Sequence, residues 1–330
     1  MKIAVFSTKS YDRTYLQQYN TGHQLTFFEN KLDRQSAILT AGHDAVCVFV
    51  NDILDEYVLK IIAELGVKLI LFRCAGYNNI ALEKARDLGF TLLRVPAYSP
   101  YAVAEHAVAL VLTLNRKTHK AYNRVREGNF SLERLEGFDL YQKTIGVVGT
   151  GKIGEIFIRI MRGFGCRIIA FDPFPNQQLI DEGLTYVSKE ELLSESDIIS
   201  LHCPLTSDTH YFIDESSLQK VKNGMMLINT SRGGLVDTQS VLKALKSGQV
   251  GYLGIDVYEQ EGDVFFRDWS ESIIDDDILL LLMTFPNVLI TSHQGFFTNE
   301  ALTEIAKTTF ENIDTYKQGK YIAANTVLKP

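Results

Sequence analysis

The sequence predicts an α/β chain of two units, each built on a parallel sheet. Three observations carry this reading. Short apolar strand-like runs alternate with helix-like runs in both halves, a glycine fingerprint separates one strand from the helix after it, and 330 residues suffice for two domains that each bury a core. Alternation of this kind calls for parallel strands joined by right-handed crossovers.

In the N-terminal third the expected strands are Lys2–Phe6, Ala45–Val50, Lys68–Phe72 and Thr91–Val95, with helix-like segments at Ile53–Leu65 and Ala81–Leu88. Ligands bind beyond the carboxyl ends of parallel strands, which singles out two turns. In RCAGYNNI, Arg73 to Ile80, Ala75 and Gly76 can offer backbone N–H groups to a small carboxylate; a turn glycine ahead of a helix cap explains the same residues. In VPAYSPYAVAEHA, Pro96 and Pro100 stiffen the backbone around Tyr98, whose hydroxyl can then be aimed into a cleft. Glu105 and His106 fit a cap or an interface better than chemistry. Ala102–Leu114 is apolar on nearly every face and predicts a helix buried all round. Arg116–Glu136, with Arg124, Arg126 and Glu127, reads as a polar surface arm with an oligomer contact left open.

Lys143 to Pro175 has the order of a dinucleotide-binding unit: apolar strand, glycine turn, helix, second strand, terminal acid. Gly149 permits the tight turn, Gly151 lets a pyrophosphate approach the backbone, and Gly154 lets the helix lie close to the sheet. Lys152 and Ile153 open that helix, whose free N–H groups form an anion site. Asp172 lies 18 residues past Gly154. An acid there accepts from both ribose hydroxyls of NAD and repels the 2′-phosphate of NADP, so NAD is the expected cofactor.

Further strands are expected at Leu184–Val187, Asp197–Leu201, Met225–Asn229 and Val288–Ile290, with a short helix at Glu190–Ser196 and a strand ending at Gly254–Val257. Cys203 and Pro204 in the loop HCPLT, Thr230, and Asp256 are expected cofactor contacts at successive strand ends. His202 more readily shapes that loop than moves a proton. Arg232, held in TSRGGLVD, can receive a carboxylate bidentately and polarise a neighbouring carbonyl. Glu261 and His293 follow two further strands, so the three side chains can meet at one rim of the sheet. A carboxylate beside an imidazole orients the ring and favours its protonated form, which suits proton transfer near neutrality.

Composition excludes other classes. A net charge of −7, from 33 basic and 40 acidic side chains, leaves no basic footprint for nucleic acid. The apolar run in IDDDILLLLMTFPNVLI is only six residues long, Ile278 to Met283, against the roughly 20 that a bilayer span needs. Cys47, Cys74, Cys166 and Cys203 have no CxxC spacing and read as buried reduced thiols, with no metal site expected. The start KIAVF lacks a signal-peptide layout. A cytoplasmic protein is expected.

These motifs together resemble the D-isomer-specific 2-hydroxyacid dehydrogenase family, and within it the bacterial fermentative D-lactate dehydrogenases. RCAGYNNI, VPAYSPYAVAEHA, GVVGTGKIG, FDPFP, SLHCPLT, NTSRGGLVD, GIDVYEQE and TSHQGFFTNEA span nearly the whole chain, and Glu261 lies 29 residues after Arg232, the family interval. The resemblance implies a Rossmann-type doubly wound parallel sheet plus a flavodoxin-like α/β substrate domain completed by the C-terminal helix, with substrate parts at residues 1–100 and 297–330 and the NAD domain at 101–296. It implies His293 as general acid/base, Glu261 as its partner, Arg232 as binder and polariser of the 2-oxo acid, Ala75 and Gly76 as donors to its carboxylate, and Tyr98 and Phe296 lining its pocket. The implied reaction is reversible NADH-dependent reduction of pyruvate to D-lactate in a homo-oligomer, dimer or tetramer. Ala81 replaces an acid common in the family. Gly262 and Asp263 replace a common proline and open an aromatic, acidic segment in which Phe265, Phe266 and Trp269 can fold back on the domain. A longer or branched 2-oxo acid, or a non-catalytic NAD(H)-binding scaffold, remain open on the residues alone.

Overall fold

A computed structural model describes residues 1–329, the side chain of Asp263 excepted. The strands are, in chain order, β1 (Lys2–Val5), β2 (Gln24–Phe27), β3 (Ala45–Val48), β4 (Leu69–Phe72), β5 (Thr91–Arg94), β6 (Thr144–Val148), β7 (Arg167–Phe171), β8 (Thr185–Tyr186), β9 (Ile198–Leu201), β10 (Met225–Asn229), β11 (Val250–Ile255), β12 (Val288–Ile290) and β13 (Thr326–Leu328). The chain divides into two compact units, Met1–Ser99 with Phe296–Pro330, and Pro100–Gly295.

The first unit holds a sheet in the order β13-β5-β4-β3-β1-β2. It is parallel except for β13, which runs antiparallel to β5. Every residue of β3 and β4 is buried, which is why both read as continuous apolar runs and not as alternating ones. From β5 to β2 the order is flavodoxin-like, and the direction of progress reverses between β3 and β1. The C-terminal helix Asn299–Lys317 starts on Thr298, whose side chain accepts from the Ala301 N–H. Its Ala306, Phe310 and Ile313 enter the same core as Ile3, Val5, Leu16, Leu69, Leu71 and Leu93, so the last helix completes the first sheet.

The second unit holds a wholly parallel sheet in the order β12-β11-β10-β9-β6-β7-β8. The chain steps outward from β6 to β8, then returns to lay β9 on the other side of β6. That reversal is the switch point of a Rossmann-type doubly wound sheet. One face is covered by a cluster containing Ala104, Ala107, Val111, Phe157 and Met161, the other by one containing Leu192, Phe212, Leu235, Val241 and Leu245. Among the described residues no helix is long and apolar enough to cross a membrane.

Several elements differ from expectation. The helix over 102–114 extends to Pro100–Arg116 and is not buried all round: Tyr101, Glu105 and Ala109, spaced by four, form an exposed stripe. The arm contains a helix, Thr118–Arg126, with none of its residues buried, which is why its sequence shows no apolar face. Neither β2 nor β13 has a strand signature. Each is a half-buried edge strand fixed by pairing with β1 or β5. Phe265 is buried against Tyr258 and Leu279, and the Trp269 indole N–H donates to the Val264 carbonyl at 2.8 Å, so the aromatic segment does fold back on its own unit.

Phe310 is 2% exposed and lies on the segment farthest in sequence from the sheet it covers. Phe310→Ala should cost about 3–5 kcal/mol, read as a lower urea midpoint of the first unit's transition. A shift under a quarter of that would show that the helix does not close this core.

Candidate active site

The fingerprint loop leaves β6 through Gly149, at φ 91°. A Cβ there would lie 2.6 Å from the Cys203 nitrogen, and one on Gly154 would lie 2.0 Å from the Gly149 carbonyl oxygen, so both positions exclude a side chain. Gly151 differs: a Cβ on it would meet nothing within 4 Å. It is also the cap of the helix Lys152–Gly163 and supplies no side-chain acceptor, so the first N–H groups remain available to an anion. Lys152 is exposed, and Ile153 leans on the core. Beyond β7, Asp172 is held rigidly: one oxygen accepts from the Thr150 N–H at 2.7 Å and the Thr150 hydroxyl at 3.0 Å, the other from the Phe174 N–H at 2.8 Å. The Thr230 hydroxyl is buried without a protein partner. Cys203 is buried with its carbonyl accepting from the Ser231 hydroxyl at 2.6 Å, while Pro204 is exposed. A side-chain-free cradle, an uncapped helix start, a fixed acid and an orphaned hydroxyl around one switch point fit a dinucleotide.

His202 lies between these groups but is sealed off from proton traffic. Its Nε2 pairs with the Ser200 hydroxyl at 2.9 Å, its ring sits 4.8 Å from that of Phe157, and burial pushes its pKa down to about 3. It is a neutral spacer beneath the loop.

The rim beyond β10, β11 and β12 carries the acid–base groups. Arg232 is set by Asn229, whose amide donates to the Arg232 carbonyl at 2.8 Å and whose oxygen accepts from the Ser231 N–H at 3.1 Å. The next residue has no freedom to carry a side chain, because a Cβ on Gly233 would fall 2.2 Å from the Tyr258 carbonyl carbon. The Arg232 turn is thereby pressed against the chain leaving β11. Glu261 divides its two oxygens: one accepts from the Tyr258 N–H at 3.0 Å, the other meets His293 Nδ1 at 2.8 Å. With a carboxylate acceptor the proton sits on Nδ1 and Nε2 is left as the working nitrogen; among the described residues Nε2 has no protein partner. His293 adopts φ 52°, a left-handed conformation that costs about 1–3 kcal/mol for such a residue.

Asp256, expected as a cofactor contact, holds that conformation. Its carbonyl accepts from the His293 N–H at 2.7 Å. One carboxylate oxygen accepts from the Thr291 hydroxyl at 2.5 Å and the Gln294 N–H at 2.9 Å, the other from the Gly295 N–H at 2.7 Å. His106 Nε2 lies 3.0 Å from the Thr291 hydroxyl and 3.3 Å from Asp256. Burial works against ionisation of Asp256, yet the hydrogen bonds from His106, Thr291 and Gln294 hold its carboxyl below the usual range. Asn229, Thr291 and His106 were not legible as parts of this site, since each is an ordinary polar residue whose partners come from another strand end. Phe266, at φ 66°, sets its ring 5.9 Å from that of His293. Behind it a cavity of about 1080 Å³ runs along β12, touching Ser292 and Gln294 on either side of His293 but none of the acid–base trio.

In the first unit, the N–H groups of Ala75 and Gly76 have no protein acceptor among the described residues, whereas the Ala75 carbonyl accepts from Arg94 at 2.9 Å. The ring of Phe296 lies 6.0 Å from Tyr98 and 5.9 Å from Phe49, a residue the sequence did not single out.

A doubly wound sheet with this fingerprint and a histidine–carboxylate–arginine rim defines a dinucleotide-dependent oxidoreductase. Residues 108–295 match the NAD-binding domain of the D-isomer specific 2-hydroxyacid dehydrogenases. The chain is 50% identical over 322 residues to the D-lactate dehydrogenase of Escherichia coli K12, covering 97% of this chain and 98% of that one. It is 53% identical over 321 residues to 2-hydroxyacid dehydrogenase A of Aspergillus oryzae, covering 96% and 92%. The apo-structure of the Escherichia coli D-lactate dehydrogenase superposes with a TM-score of 0.91 at 47% identity, covering 99% of this chain and all of that one. The chain belongs to the D-isomer specific 2-hydroxyacid dehydrogenase family and is an NAD-dependent oxidoreductase.

The His202 shift makes an acid-stability prediction. With a native pKa of about 3 against an ordinary 6.5, the unfolded chain binds more protons between those values. The contribution is therefore full above pH 6.5 and is lost as the pH falls toward 3. His202→Gln, which keeps a partner for Ser200 and cannot titrate, should lose less melting temperature than wild type between pH 7 and about 4.5. Equal losses would assign acid sensitivity to other groups.

Proposed function

We propose that this chain catalyses the reversible NADH-dependent reduction of pyruvate to D-lactate. The observation that carries the reading is the 2.8 Å pair of His293 Nδ1 with Glu261, on the strand end next but one to that of Arg232. Two of the three reported comparisons bear the name D-lactate dehydrogenase, which supports this acid over other members of the substrate class.

NADH, held by Gly149, Gly151, Gly154 and the first turn at Lys152 and Ile153, with Asp172, Cys203, Pro204 and Thr230 around it, supplies the hydride. Arg232 receives the 2-oxo acid by its planar fork and draws electron density from the carbonyl. His293, protonated, donates from Nε2 to the carbonyl oxygen as that oxygen gains charge. Glu261 stabilises the imidazolium beforehand and keeps the ring aimed. In reverse, neutral His293 takes the hydroxyl proton. Ala75 and Gly76 offer their N–H groups to the substrate carboxylate, and Tyr98 and Phe296 bound its methyl side. The exposed Phe130 and Leu132 on the arm, 75% and 82% accessible, support association with further copies of the chain.

A panel of 2-oxo acids followed by NADH oxidation at 340 nm, with chiral analysis of the product, tests the reading; a 2-oxo acid at least 100-fold better than pyruvate in kcat/KM would overturn the substrate. His293→Ala should lower kcat on the order of 100 to 10,000-fold with little change in KM for NADH. Arg232→Lys should leave both 2-oxo acid binding and turnover impaired, because a point charge lacks the fork. Unchanged kinetics in either variant would remove its role.

Asp172→Ala should shift the kcat/KM ratio of NADH over NADPH toward NADPH, since it removes both the ribose acceptor and the charge that repels a 2′-phosphate. A ratio equal to that of wild type would locate cofactor choice elsewhere.

A further inference from the structure

The first sheet reverses between β3 and β1, the position where parallel sheets open a ligand crevice. A buried polar cluster occupies the carboxyl ends of β1, β3 and β4 there, and the proposed chemistry leaves it unused. At its centre is Arg73, the residue immediately after β4, 1% exposed. Its Nε donates to Asp12 at 3.3 Å and its Nη2 to the Ser7 carbonyl at 2.8 Å. The guanidinium carbon stands 4.8 Å from the centre of the Phe49 ring. One side chain thus ties the end of β1, the first turn of the helix Ser10–Gln18, and the loop after β3. Asp52 fixes the same loop from the other side. It accepts from the Phe49 N–H at 2.6 Å, the Ser7 hydroxyl at 2.7 Å and the Leu32 N–H at 2.7 Å. Ser7 itself is held at φ 52°.

A guanidinium this deeply buried costs free energy unless every donor is paired, and an apolar side chain of like volume would fill the space at lower cost. Asp12 offsets the charge, but Nη1 has no protein acceptor. Its neighbours along the chain and across the crevice point to a use. Arg73 directly precedes the Ala75–Gly76 turn, whose N–H groups also lack protein acceptors. The ring it supports, Phe49, meets Phe296, which meets Tyr98.

We propose that Arg73 is a positioning residue for the 2-oxo acid: it fixes the Phe49 ring and the Cys74–Gly76 turn, and its charge favours a carboxylate at that turn. This rests on the reading of the chain as a 2-oxo acid reductase. Arg73 acts through the turn and the ring; it moves no proton.

The test compares wild type, Arg73→Met and Arg73→Lys by KM and kcat for pyruvate, KM for NADH and melting temperature. Arg73→Met should raise the KM for pyruvate at least 10-fold and leave the KM for NADH within 2-fold, because the nucleotide loop lies in the other unit. Arg73→Lys, with the charge but neither the fork nor the planar face, should recover only part of the loss and stay at least 3-fold above wild type. If Arg73→Met does not fold, Arg73→Lys decides alone by the same 3-fold criterion. A KM for pyruvate within 2-fold of wild type in the folded variants, with only a lower melting temperature, overturns the proposal and leaves Arg73 a structural residue. Wild-type turnover reports separately on the functional reading. If another 2-oxo acid proves to be the substrate, the ratios are read on that acid; no turnover of any 2-oxo acid by wild type overturns both.

Discussion

The working histidine depends on one buried carboxylate. His293 sits in a backbone conformation that a non-glycine residue adopts only under constraint, and that constraint is Asp256, which collects the loop from Thr291 to Gly295 through its carbonyl and both carboxylate oxygens. A carboxylate suits the place better than a carboxamide because it accepts at both oxygens without presenting a donor to the converging N–H groups. Its cost is desolvation, met by His106 and Thr291 on its free side. The strain at His293 is thus balanced by bonds to a residue on the neighbouring strand, and the imidazole stands ready for its reaction without reorganisation.

Sheet order does the rest of the assembly. Arg232 and His293 are 61 residues apart in sequence, but they follow β10 and β12, which flank β11. The residues between are spent on crossovers that return the chain to the same rim. Gly233 lets the Arg232 turn touch the Tyr258 backbone, and the Tyr258 N–H in turn holds one oxygen of Glu261, leaving the other for His293. Charge is arranged in steps, arginine fork, carboxylate, imidazole, through backbone contacts that are indifferent to the substrate. Such preorganisation is where electrostatic catalysis gains most.

How much of this was legible follows from the range of each cause. β10 and β12 were readable to the residue because buried parallel strands are continuous apolar runs bounded by turns. Gly149, Gly151, Gly154 and Asp172 were readable because their constraints are local in sequence. Arg232, Glu261 and His293 were readable as strand-end polar residues, though their meeting required the strand order. Asp256 illustrates the limit: its position beyond β11 marked it as functional, but its bonds to Gln294 and Gly295, 38 and 39 residues away, exist only after the sheet has formed. β2 and β13 failed for the same reason, since edge strands take their conformation from a neighbour. Arg73 was passed over as a flank of the RCAG turn because nothing in a single sequence reveals that a charge is buried.

On the proposed reading, the two units divide recognition between them by kind of interaction. An arginine fork and paired N–H groups discriminate strongly, because a ligand without a carboxylate leaves buried donors unpaired; a site built to hydrogen-bond its ligand rejects an analogue by about 10⁴–10⁵. The aromatic set of the first unit, Phe49, Tyr98 and Phe296, can discriminate only by size, and one methylene is worth about 1–3 kcal/mol. The class of substrate is therefore fixed by groups whose replacement abolishes the reaction. The particular acid is fixed by rings whose replacement changes it. A ring does this only if it cannot swing aside, which is the service a buried guanidinium plate behind Phe49 performs, and which a flexible alkyl chain of the same volume would not.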